Sequence, residues 1–253
     1  MSAFILKVIA VVSMLISHTT NSAHLSTLFA EGLGVSEAVC YPVLEIVEWF
    51  GTIAFPIFAF LISEGCKHTH DKSRYVGRLL VFALISEIPF QMAHGQGLLY
   101  VRTSNIFFTL AIGAMACFLF ERFWNAGRKF PAIICVLLLI FVGEVWHTDY
   151  GGLGVLMIVL PFILKRKTLT IAAMGMVLTA LYMGIASWNG MTFMWTYNSY
   201  YIWRWLVSLL SLVFIALYNG ERGKNAKWFF YWFYPAHLAG IVIFNSILGN
   251  IFA

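Results

Sequence analysis

Apolar runs of roughly 17 to 25 residues, the length that crosses a bilayer, recur along this chain and are separated by short polar connections. They lie near residues 4–22, 49–66, 76–94, 104–121, 131–147, 152–165, 168–187, 200–218 and 228–250. A chain crossing lipid must satisfy its backbone polar groups within each segment, which uninterrupted runs of this length do only as helices. The pattern therefore predicts an all-α fold. It is a polytopic integral membrane helical bundle of about nine transmembrane helices (range 8–10), a single domain over residues 1–253. The sixth run is short, begins "DYGGLG" and meets Pro161 before its end. Residues 24–47 form the longest connection, and "AVCYPVLEIVEWF" within it suits an amphipathic helix lying along the interface.

Composition agrees with the pattern. Hydrophobic residues make up 61% of the 253 and charged residues only 11%, with a mean hydropathy of +0.84. A soluble domain of this length has too little polar material here to cover its surface. The pI near 9.0 does not indicate nucleic acid, because the cations sit in short clusters between apolar runs. Those clusters are Lys67, Lys72, Arg74 and Arg78; Arg122, Arg128 and Lys129; Lys165, Arg166 and Lys167; and Arg222, Lys224 and Lys227. They occupy every second connection and Lys7 joins them, leaving Arg102 and Arg204 for the other side with Glu31, Glu37, Glu45, Glu48 and Asp149. The positive-inside rule makes the basic side cytoplasmic, with the N-terminus inside. The first run carries its one cation inside the apolar stretch, and Asn21-Ser22-Ala23 is a poor cleavage signal, so it is expected to remain as a helix. Cys40, Cys66, Cys117 and Cys135 form no CxxC pair and imply neither a disulfide framework nor a zinc site.

Ionisable groups inside apolar runs are costly and usually face a cavity or a partner. In "LKVIAVVSMLISH", Lys7 and His18 are eleven positions apart, which places them on one helix face about 16 Å apart. Glu64 and His68 are spaced i, i+4 and so can face each other near the inner surface. Glu87 falls near mid-bilayer and must be neutral, paired or in a wet cavity. In "FFYWFYPAHL", His237 shares a face with Tyr234, and Pro235 removes an amide from the helix ladder. Asn105 is placed to cap a helix. No HExxH or paired-histidine motif indicates a metal. Two chemistries fit these residues. A proton-coupled transporter would relay protons through Glu87, His18 and His237. An acyltransferase would use a histidine as general base, with cytoplasmic cations holding an anionic donor such as acyl-coenzyme A.

Taken together, "LKVIAVVSMLISH", "FPIFAFLISEGCKHTH", "RLLVFALISEIPF", "NIFFTL", "DYGGLGVLMI", "YNGERG" and "FFYWFYPAHL" resemble the TraX family in order and spacing, from about residue 6 to 240. The first span also resembles that of the wider membrane acyltransferase-3 group, where a basic residue and a histidine eleven positions later serve acyl transfer. Lys7 and His18 match those positions. Family members usually have Asp-His at the end of this span, where the chain has Ser17-His18. The resemblance implies a multi-pass acetyltransferase of the bacterial inner membrane that uses acetyl-CoA as donor and no metal. Its acceptor would be an amine or hydroxyl, as in N-terminal pilin acetylation in conjugation, or on another envelope acceptor. On this reading His18, His237, Glu87 and Glu64 are catalytic candidates. Lys7, Lys67, Lys72, Arg74 and Arg78 are candidates for the acetyl-CoA phosphates, and Tyr234, His68 and Asn105 for the substrate. The rival readings are the proton-coupled transporter and a non-catalytic membrane assembly factor.

Overall fold

A computed structural model describes residues 1–22, 25, 28–95, 103–188 and 195–252. The chain winds through α1 (Ala3–Ser22), a π-helical turn (Leu28–Gly32), α2 (Glu37–Trp49), a 3₁₀ turn (Phe50–Ile53), α3 (Ala54–His68), α4 (Lys72–Ala93) and α5 (Ile106–Asn125). It continues through α6 (Lys129–Val145), α7 (Gly151–Ile163), α8 (Lys167–Trp188), α9 (Trp195–Ala216) and α10 (Lys227–Phe252). Among the described residues the only extended pairing is an isolated parallel bridge, Ser104 with Thr148. The fold is all-α, as the apolar runs predict.

Among the described residues, length and apolarity qualify four segments as bilayer spans: Ala3–Thr20, Ala38–His68, Lys72–Ala93 and Ile106–Asn125. Shorter apolar helices include Gly151–Ile163, Lys167–Tyr182 and Tyr201–Ala216. The protein is thus a polytopic membrane helical bundle. Its outer face is a coat of large exposed hydrophobics such as Leu84, Phe130, Phe141, Met176 and Ile243, the surface expected where lipid replaces water.

The second span differs from its expected bounds of 49–66. The "AVCYPVLEIVEWF" helix does not end before the span but runs into it as α2, through the 3₁₀ turn, to His68. Pro56 falls in the first turn of α3, where a missing amide costs nothing, so the discontinuity sits at residues 50–53 instead. That turn also brings backbones together: a Cβ on Gly51 would lie 2.2 Å from Ser17 Cβ. Here α1 packs against α3 and the 3₁₀ turn with no room for a side chain. Helix α3 is central, touching α1, α5, α7 and α9, while α10 lies against α4 and α1. The last helix thereby closes the bundle onto the first.

Candidate active site

The packing of α10 on α1 joins two residues 219 positions apart. His18 Nδ1 and His237 Nε2 are 2.7 Å from each other, with the rings nearly parallel at 5° and centroids 5.0 Å apart. The proton positions follow from chemistry. His237 Nδ1 is 2.8 Å from the Phe233 carbonyl, which can only accept, so that nitrogen carries the hydrogen. Neutral His237 therefore offers a lone pair at Nε2. His18 Nδ1 must donate to it, which leaves the lone pair of His18 at Nε2, the arrangement of a base held in one tautomer by its partner.

Tyr234 borders this dyad, its ring centroid 5.8 Å from His18 and 5.4 Å from His237. The residue is 3% exposed, with its hydroxyl against the Ile106 backbone at the start of α5. His94, at the end of α4, presents its ring edge-on to His18 at 6.1 Å, with Nδ1 2.9 Å from the Phe90 carbonyl.

On the basic side of Tyr234 lies a cavity of about 610 Å³. Its cations are Lys7, Arg78, Arg222, Lys224 and Lys227. Glu64, His68, Tyr75, Tyr218 and Tyr231 add polar atoms, while Met14, Ile106, Phe107 and Leu110 form apolar wall. The imidazoles themselves stand behind Tyr234, off the cavity wall. Lys7 lies 5.6 Å from the Phe230 ring centroid, and Arg78 Nε is buried without a partner among the described residues.

The sequence candidates separate on this frame. Lys7, Arg78, His68 and Tyr234 line the cavity, and His18 with His237 stands beside it. Three of the expected phosphate ligands do not line it: Lys67 pairs with Glu64 at 2.8 Å, Lys72 pairs with Glu121, and Arg74 pairs with Asp71 at 3.0 Å. Glu64 lines the cavity but bonds Lys67 rather than His68, since positions i+3 and i+4 compete for the same carboxylate.

Glu87 is bonded through both oxygens. Oε2 accepts from Asn105 N and Nδ2 at 3.1 and 2.5 Å, and Oε1 accepts from Gln91 Nε2 at 2.7 Å. Asn105 caps α5 by accepting from Phe107 N at 3.0 Å and does not line the cavity. This pair anchors the start of α5, which supplies Ile106 and Phe107 to the cavity wall.

Sequence reasoning did not single out His94, nor Arg222, Lys224 and Lys227 as cavity residues. His94 carried a readable signal, lying seven residues after Glu87 and hence on the same helix face. The three cations carried none, because their position depends on how the α9–α10 connection folds over the N-terminal end of α1, with Ala3 N and Phe4 N bonding Glu221 O and Arg222 O.

The chain matches the family described as "TraX protein" over residues 2–245, which runs from the start of α1 well into α10. It belongs to the TraX family. The dyad, Tyr234 and all the cavity cations fall inside the matched region. The "Probable fimbrial assembly protein FimC, serogroup H1" of Dichelobacter nodosus is 27% identical over 253 residues, covering 94% of this chain and 93% of the relative. No solved structure matches the chain.

Proposed function

We propose that this TraX-family chain is an acyltransferase of the bacterial cytoplasmic membrane that moves an acetyl group from acetyl-CoA to an amine or hydroxyl. The observation that carries the reading is the His18–His237 dyad, held in one tautomer beside a cavity whose cations suit an anionic donor. A cavity of about 610 Å³ is of the size that ordinarily takes a substantial ligand. Arg78 Nε, buried and without a partner among the described residues, is a polar atom that a bound donor would satisfy.

Each residue has a role on this reading. Lys7, Arg78, Arg222, Lys224 and Lys227 attract the phosphates by charge complementarity. Tyr234 lines the cavity and touches both imidazoles, so it joins the donor's cavity to the dyad. His18 Nε2 takes the proton of the attacking amine or hydroxyl and returns it to the departing sulfur. His237 stabilises the imidazolium that forms, since the Nδ1–H it accepts becomes a charge-assisted donor. Glu87 and Asn105 hold the cavity wall rather than touching the reacting atoms. The similarity to a fimbrial assembly protein supports a fimbrial or pilin-like subunit as acceptor.

The test uses purified protein and acetyl-CoA labelled in the acetyl group. Free thiol release coupled to labelling of an acceptor, and lost with His18→Ala, is the expected result. Substrate counterflow in vesicles without thiol release would favour the transporter, and inactivity in both assays the assembly factor.

A further inference from the structure

The α9–α10 connection carries a second, smaller cavity of about 260 Å³. Its wall is Arg222, Asn225, Ala226, Lys227, Trp228 and Phe229. Two of these are cations, and no carboxylate lines the cavity among the described residues. The backbone that forms it is held in place. Ala3 N and Phe4 N donate to Glu221 O and Arg222 O at 2.8 and 3.2 Å. Gly223 turns there at φ 69°, where an added Cβ would lie 2.9 Å from Phe4 Cβ. Arg222 Nη2 donates to Asn225 Oδ1 at 3.3 Å, and Lys227 Nζ stands 4.9 Å from the Trp228 ring centroid.

Arg222 and Lys227 also line the larger cavity, whereas Trp228 and Phe229 do not. These two aromatics set the smaller cavity apart, for they are 55% and 57% exposed. Trp232, one turn further on, is exposed as well. The exposed stripe then continues at helical spacing through Ala236, Gly240, Ile243 and Ile247. This is the lipid-facing side of α10. Exposed tryptophans where such a stripe meets a basic connection mark the headgroup level of the bilayer. The cavity therefore places two cations among the headgroups of the cytoplasmic leaflet and continues into the acyl region. Its volume is below the roughly 300 Å³ at which clefts begin to take a whole drug-sized ligand, so it suits a headgroup better than a nucleotide donor.

We propose that this cavity binds an anionic glycerophospholipid of the cytoplasmic leaflet. Arg222 and Lys227 hold its phosphate, and its acyl chains lie along the exposed stripe of α10. Basic pockets on the cytoplasmic side of membrane helices recognise such headgroups by charge. A free phosphate ester shares the headgroup chemistry but has no chain to lay on Trp228, Phe229 and Trp232. Arginine and lysine each carry several donors, so the two cations can serve the lipid while bordering the larger cavity. The lipid then steadies the connection that also faces the donor. The site stands whether or not the chain transfers acyl groups.

Native mass spectrometry of the full chain, in micelles supplied with equal amounts of phosphatidylglycerol and phosphatidylcholine, reads the occupant directly. Attraction at a membrane surface amounts to about fivefold per cation, so two cations should favour phosphatidylglycerol roughly 25-fold. The joint variant Arg222→Gln, Lys227→Gln should lose most of that preference. Arg128→Gln with Lys129→Gln, on the same basic side but outside the cavity, should keep it. Equal loss in both variants would mean diffuse attraction and overturn the proposal, as would equal binding of the two lipids by the wild type. Should the first variant fail to fold, the wild type decides by crosslinking. Phosphatidylglycerol with a photoreactive group beside its phosphate should label residues 222–232, and labelling confined to other segments overturns the proposal. Soluble glycerol phosphate should leave the lipid in place. Displacement by it, or by an equal concentration of coenzyme A, would assign the cavity to a free phosphate or to the donor and overturn the proposal.

Discussion

Replacing His237 should slow the reaction less than replacing His18, and the difference can be worked from the bond between them. His18 is the proposed proton acceptor, and general-base assistance contributes roughly 10²- to 10⁴-fold, so His18→Ala should lose about that much in kcat. His237 acts through the 2.7 Å contact to His18 Nδ1. When His18 is protonated, that contact becomes a hydrogen bond from a charged donor, worth roughly 1.5–3 kcal/mol. At about 1.4 kcal/mol per tenfold, His237→Ala should lose about 10- to 100-fold in kcat with little change in the KM for acetyl-CoA. Because His237 works only through His18, the double variant should be no slower than His18→Ala alone. Steady-state thiol release measures all three. Independent losses that multiply in the double variant would refute the dyad, as would a His237→Ala protein with wild-type kcat.

Three further outcomes are expected. Glu87→Gln puts an amide where Asn105 and Gln91 donate to both carboxylate oxygens, so a donor meets donors; thermal unfolding should show a loss of roughly 1–3 kcal/mol, and an unchanged melting temperature would refute the anchoring role. Gly51→Ala drives a methyl to 2.2 Å from Ser17 Cβ and should destabilise by roughly 1–3 kcal/mol through overpacking, whereas Gly77→Ala, with open space around its added Cβ, should not. Joint replacement of Arg222, Lys224 and Lys227 by Gln should raise the KM for acetyl-CoA and weaken its dependence on ionic strength, while Arg74→Gln, whose charge pairs with Asp71, should change neither.

The membrane class and most helix positions were readable in the sequence because lipid imposes one rule on every segment, and run length reports it directly. His18, His237 and Tyr234 were readable for a related reason: an imidazole or hydroxyl placed in an apolar run needs a partner, and the remaining candidates for partner were few. Pairing between neighbours was less legible. Glu64 had Lys67 and His68 at equally reachable spacings, and local periodicity cannot rank them. The α2–α3 continuity was hidden because Glu37, Glu45 and Glu48 read as part of an outer connection, and it is the 3₁₀ turn at Phe50–Ile53 that joins the two helices. The pairing of the segment before α5 with the one before α7 was least legible of all. It depends on Ser104 bonding His147 and Asp149, far along the chain, and "DYGGLG" alone announces only small residues and a turn.

The account requires that the donor enter from the basic face and that its acetyl group leave it at the dyad. The most direct measurement seals an amine peptide inside vesicles carrying the protein with its basic face outward, then adds acetyl-CoA labelled separately in the acetyl and adenine groups outside. The account predicts acetyl label on the enclosed peptide, adenine label and free thiol remaining outside, and loss of both products with His18→Ala. Adenine label inside the vesicles, or peptide labelling that survives His18→Ala, would contradict it.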